Sequence, residues 1–118
     1  MMQGQVDADG LPSLLLPVAG QDWKAIVDTG FNGDLELPEP LRASVNPVLI
    51  GQSVSELAGG PTVVEELYAV DFPFDGQTVK AEAMFSTSNE ILLGTHLFAS
   101  YRLEVHFPNG TVQLDRVI

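Results

Sequence analysis

The sequence predicts a small all-β domain, a closed or partly closed β-barrel with one short helix near its C-terminal end. Apolar and polar residues alternate along most of the chain, the period of half-buried strands. Turn signals rich in glycine and proline recur at roughly 8–12-residue spacing, as in small barrels. Helical periodicity is nearly absent. A length of 118 residues suits one domain spanning residues 1–118, and no internal repeat or low-complexity segment divides it.

Taken in order, Leu14-Leu15-Leu16-Pro17-Val18 and Trp23-Lys24-Ala25-Ile26-Val27 read as two strands turned at Ala19-Gly20-Gln21-Asp22. The second strand runs into Asp28-Thr29-Gly30. Leu35 to Pro38 is a further short strand, and Leu41-Arg42-Ala43 is a candidate single helical turn. Alternating runs from Gly51 to Val70 flank Ala58-Gly59-Gly60-Pro61, a hairpin turn signal. Val70 to Phe74 and Thr78 to Phe85 bracket a second hairpin turn at Asp75-Gly76. Glu90-Ile91-Leu92-Leu93 is a buried-type strand that stops at Gly94. Thr95 is placed to cap a short helix, Thr95 to Ser100. A last hairpin pairs Leu103–Phe107 with Thr111–Leu114 across Pro108-Asn109-Gly110.

Composition excludes several functions. Sixteen acidic residues face five basic ones, a net charge of −11, and no Lys or Arg cluster exists to meet a phosphate backbone or an anionic bilayer. Nucleic-acid and membrane partners are therefore not expected. The acids are scattered, as on a solvated surface. The absence of cysteine removes disulfides, thiolate metal sites and cysteine nucleophiles. The first residues lack a basic start followed by an apolar run, and the apolar stretch Leu11 to Ala19 is too short to span a bilayer. The expectation is a cytoplasmic protein.

The chemistry centres on Asp28. It follows the apolar run Ala25-Ile26-Val27 and precedes Gly30, so its carboxylate leaves a buried strand at a tight turn. A turn aspartate accepting backbone N–H bonds explains that pattern equally well, and Asp-Thr-Gly arises by chance in about one in fifty chains of this length. Other chemistries lack their residues. His96 and His106 are the only histidines and are read as surface or packing residues, so no metal and no cofactor are expected. No Gly-x-Ser-x-Gly elbow occurs, and Gly30-Phe31-Asn32-Gly33 lacks the Lys-Ser/Thr of a phosphate loop.

Ile26-Val27-Asp28-Thr29-Gly30 resembles the active-site loop of retropepsin-like aspartic proteases. The longer run Val27 to Pro38 is most similar to bacterial and archaeal, single-domain members. Ile91-Leu92-Leu93-Gly94 resembles the second family signature, which crosses the first in a ψ-shaped loop. Gly94 suits that role because only a residue without Cβ lets two backbones approach so closely. The resemblance extends over roughly Leu14 to Val117. Two features depart from the retroviral pattern: Phe31 and Asn32 follow the motif, and the chain continues into the Leu103–Leu114 hairpin.

The resemblance implies a small closed β-barrel of the retropepsin-like acid protease type and an aspartic endopeptidase. It implies Asp28, Thr29 and Gly30 as the catalytic motif, and Leu92, Leu93 and Gly94 as supports of its loop. Ala58, Gly59, Gly60 and Pro61 would form a flap over a peptide or protein substrate, with Phe31 beside the cleft. Hydrolysis by this route needs two carboxylates sharing one proton. No second Asp-Thr-Gly or Asp-Ser-Gly exists in the chain, so a homodimer is expected to supply Asp28 twice. The alternatives on the same fold are a catalytically silent dimeric binding module, and a protease active only after release from, or docking with, another chain.

Overall fold

The computed structural model describes all residues, Met1–Ile118. Its strands are β1 (Met2–Val6), β2 (Pro12–Val18), β3 (Gln21–Val27), β4 (Leu35–Pro38) and β5 (Val48–Glu56). They continue as β6 (Thr62–Phe74), β7 (Gln77–Ser86), β8 (Ile91–Leu93), β9 (Tyr101–His106) and β10 (Thr111–Arg116). Every strand read from alternation is present. One was not foreseen: β1, in which Met2, Gly4 and Val6 are half-buried and Gln3 and Gln5 exposed. The runs ending and beginning at Val70 are one strand of 13 residues, since Pro73 sits near the hairpin end, paired with Thr78, where a missing N–H matters least.

All ten strands form one sheet in the order β5-β6-β7-β4-β8-β3-β2-β1-β10-β9. The sheet is not closed by hydrogen bonds: β5 and β9 are its two edges. The mostly-β fold expected from sequence is present, but the closed form of the barrel is not confirmed, because the hydrogen-bonded sheet is open. Closure depends on which strands end up at the edges, and local alternation carries no information about that.

The short C-terminal helix is corrected. Residues 95–100 form successive turns, with Phe98 N–H bonding Thr95 O at 3.1 Å, Ala99 N–H bonding His96 O at 3.3 Å and Tyr101 N–H bonding Phe98 O at 2.8 Å. These bonds span three residues, not four. Between Gly94 and the start of β9 there is too little chain to repay the nucleation of an α-helix. The helical turn around Leu41 is present, as a 3₁₀ helix over Glu39–Ser44, and a second 3₁₀ turn spans Phe107–Asn109.

The core is a single cluster drawn from most strands: Leu14, Leu16 and Val18 of β2, Leu35 and Leu37 of β4, Val70, Phe72 and Phe74 of β6, and Val112 and Leu114 of β10. Phe72 is fully buried at 0% exposure. Truncation at such a site leaves a cavity as well as losing transfer free energy. Phe72→Ala is expected to lower unfolding free energy by about 3–5 kcal/mol, measurable as a shift of the urea midpoint with an unchanged slope.

The topology around β8 positions the site. β8 lies between β3 and β4, parallel to β3 and antiparallel to β4. Consequently the connection from β3 to β4, residues 28–34, must pass over the end of β8.

Candidate active site

Asp28 leaves β3 where Val27 pairs with Leu93, and its N–H continues the ladder to Leu93 O at 3.0 Å. Buried Ala25, Ile26 and Val27 anchor the strand up to that point. Asp28 itself is half-buried, while Thr29 and Gly30 are exposed. The Asp28 Oδ1 accepts the Gly30 N–H at 2.9 Å, and Phe31 N–H bonds Asp28 O at 3.1 Å. This is the turn geometry in which an aspartate caps its own loop. It leaves the second carboxylate oxygen, Oδ2, without a protein donor among the side-chain hydrogen bonds of the chain.

The loop is stitched to the segment that follows β8. Gly94 N–H donates to Asp34 O at 2.9 Å, Thr95 N–H to Phe31 O at 2.8 Å and His96 N–H to Gly33 O at 3.2 Å. The Thr95 hydroxyl adds a longer bond to Phe31 O at 3.3 Å. Gly94 is where the two backbones meet. A Cβ at that position would lie 2.0 Å from Gly33 O and 2.9 Å from Phe31 Cδ2. Leu93 and Gly94 are buried and Leu92 half-buried, so this support is part of the core.

The β5–β6 hairpin shares a cleft with the loop through its stem. Its tip holds Ala58, Gly59, Gly60 and Pro61, with Leu57 N–H bonded to Pro61 O at 2.8 Å and Gly60 N–H to Leu57 O at 3.1 Å. Gly59 and Gly60 take φ of 94° and 101°, which only glycine adopts without strain. The tip is exposed on all sides. Val48, Leu49, Ile50, Val54, Leu57 and Val64 of this hairpin are also exposed, an unusual density of apolar groups in water.

Between loop and hairpin lies a cleft of about 630 Å³. Phe31, Leu35, Val54, Leu67 and Met84 give it apolar walls, with polar groups from Ser53, Ser55, Asn32, Asp34, Glu82 and His96. Gly30 and Phe31 of the sequence-predicted set line it directly. Asp28 and Thr29 are not among the residues that line it, and the hairpin contributes its stem (Ser53–Ser55 and Leu67), not its tip.

One pair was missed by sequence reasoning. Asp34 is buried at 7% exposure, and both its carboxylate oxygens are occupied. Oδ2 accepts the Glu82 N–H of β7 at 2.9 Å, and Oδ1 lies 2.6 Å from His96 Nδ1. A carboxylate can only accept, so Nδ1 is the donor. The hydrogen bond and then the charge of Asp34 hold the His96 imidazole above its ordinary pKa, against a weaker opposing effect of burial. No third ligand-type side chain joins the pair.

No family model and no curated protein matches the sequence. Solved structures do match. A retropepsin-like aspartic protease from Rickettsia conorii aligns with a TM-score of 0.63 at 13% identity, over 94% of this chain and 88% of that one. The protease of simian foamy virus (mac) aligns with a TM-score of 0.54 at 24% identity, over 71% and 88%. The foamy viral protease–reverse transcriptase, solved with an RNA/DNA hybrid, aligns with a TM-score of 0.57 at 20% identity, over 90% of this chain. This chain spans 13% of that larger polypeptide. At such identities the likeness establishes the fold, and the fold is retropepsin-like.

Proposed function

We propose that this retropepsin-like chain is half of an aspartic endopeptidase, and that two copies pair so that Asp28 of each forms the catalytic dyad. The observation that carries the reading is the setting of Asp28. It is a partly exposed carboxylate at the end of a buried strand, held on a loop braced at Gly94, and the same loop's Gly30 and Phe31 line a cleft that the stem of a hairpin also walls.

In the proposed dimer one carboxylate takes a proton from a water molecule, whose oxygen attacks the scissile carbonyl carbon. The other carboxylate donates its proton to the carbonyl oxygen. The resulting diol collapses, the C–N bond breaks, and the departing nitrogen takes up a proton, giving a free acid and a free amine. Thr29 would bond across the two-fold axis and Gly30 would leave space for substrate and water. The hairpin would close over an extended peptide, adding backbone pairing and excluding bulk water. Its exposed apolar residues support this, because substrate and partner would both cover them.

The test is incubation of the full chain with a mixed peptide library, products mapped by mass spectrometry, alongside sedimentation at each pH. Pairing doubles a net charge of −11, and self-repulsion opposes it near neutrality. Approaching the isoelectric point of about 4.2 relieves that repulsion. It also favours a dyad that shares one proton. Dimer population and cleavage are therefore both expected to rise from neutral to mildly acidic pH. Activity that peaks above neutral pH, or cleavage by a species that sediments as a monomer, would overturn the proposal.

A further inference from the structure

We propose that His96 is a positioning residue: its protonated imidazole, clasped to the buried carboxylate of Asp34, fixes the loop that carries Asp28, and the loop loosens when the ring loses its proton. The inference deepens the reading of Asp28 as half a dyad and rests on it for any effect on cleavage. Its effect on the loop stands without that reading.

The geometry is that of a three-way tie. Asp34 closes the loop that begins at Asp28. Its backbone carbonyl accepts from Gly94, its Oδ2 from the β7 backbone at Glu82, and its Oδ1 from His96. His96 in turn donates its own N–H to Gly33 O. One side-chain bond thus joins the far end of the loop to the segment after β8, beside the backbone bonds from Thr95 and Gly94.

The tie depends on the charge of the ring. A protonated imidazole offers both nitrogens as donors, and a charge-assisted bond to a carboxylate is about twice as strong as a neutral one. A neutral ring has one hydrogen for two nitrogens. When Nε2 holds it, the Nδ1 lone pair faces a buried anion. The charged groups facing His96 are Asp34, the last residue of the loop before β4, and Glu82, from β7, and no Lys or Arg lines this cleft. Both neighbours favour the protonated ring. Because its folded-state pKa is raised, the charge-assisted part of the clasp is complete below the ordinary imidazole pKa and is lost as pH rises through the raised one, leaving at most a weaker neutral Nδ1–H bond.

The test is an NMR titration of the full chain from mildly acidic to alkaline pH, following the His96 ring and the Gly30 and Phe31 amides. In the wild type these amides are expected to shift with the midpoint of the His96 ring. His96→Asn keeps a donor at the position of Nδ1 but cannot titrate. Its loop amides should stay near their acid-form positions throughout. His96→Ala should show displaced or broadened loop amides at every pH, with kcat/KM lower by about 10- to 100-fold, the scale of a small misplacement of a reacting group. Loop amides that stay flat while the wild-type His96 ring titrates would overturn the clasp, as would a wild-type loop in His96→Ala. Should His96→Ala fail to fold, the wild-type and His96→Asn titrations decide alone. Absence of cleavage by the wild type at any pH would remove the dyad reading, and the loop titration would still decide the clasp.

Discussion

Asp28→Asn is expected to abolish peptide cleavage, with a loss on the order of 10⁴-fold, while leaving the fold intact. The fold should survive because the side chain makes one bond within the chain, from the Gly30 N–H to Oδ1, and an asparagine carbonyl oxygen accepts that bond equally well. The chemistry should not survive, because the amide can neither take a proton from water nor share one with its partner. Wild type and variant are compared on the same peptide library at each pH, with sedimentation run in parallel. A mixture gives a sharper result. If each site needs an aspartate from both chains, subunits mixed at equal amounts leave about one quarter of the dimers fully wild type. Activity should fall to that fraction after exchange, whereas chains acting independently would keep one half. Equal cleavage by wild type and Asp28→Asn would assign the activity to a contaminant and leave the cleft as a binding surface.

Much of this site could be read from local chemistry. Ala25-Ile26-Val27 ahead of Asp28 announced a buried strand ending at a turn, and Leu92-Leu93-Gly94 announced a strand stopping where backbones must touch. Both statements concern neighbours in sequence, and the structure places both segments together at Val27–Leu93. What escaped detection lies between residues far apart. Asp34 and His96 are separated by 62 positions, and each alone is an ordinary charged or polar residue near a glycine. Their meaning comes from the path of residues 28–34 over β8, which buries one and turns the other towards it. The same limit applies to residues 95–100: Thr95 is a plausible cap, but whether a helix forms was decided by the short span to Tyr101. In β1 the signal was present, as Gln3 and Gln5 alternate with Met2, Gly4 and Val6, but two glutamines and a glycine make a weak strand by propensity.

Gly94→Ala is expected to be among the most damaging single-methyl additions the chain can suffer. The added Cβ would lie 2.0 Å from Gly33 O and 2.7 Å from Gly33 C. Both are backbone atoms, so no side-chain rotation relieves the contact. To make room the 28–34 loop must lift from the turn after β8, and the bonds lost first are Gly94 N–H to Asp34 O, Thr95 N–H to Phe31 O and His96 N–H to Gly33 O. Strain from overpacking adds to the cost of stranding buried backbone groups, and together they should lower stability by about 3–5 kcal/mol. That is a large part of what a domain of this size commonly has, so the variant should be mostly insoluble or should unfold at much lower urea. Gly30→Ala is the control. Its Cβ meets only Asp28 Oδ1, at 3.2 Å, a single atom on a rotatable side chain. It should fold with nearly wild-type stability yet cleave poorly, because the carboxylate it displaces is the one the reaction needs. Should Gly94→Ala fold as well as Gly30→Ala, the crossing of the two segments would not be the brace on which the Asp28 loop depends.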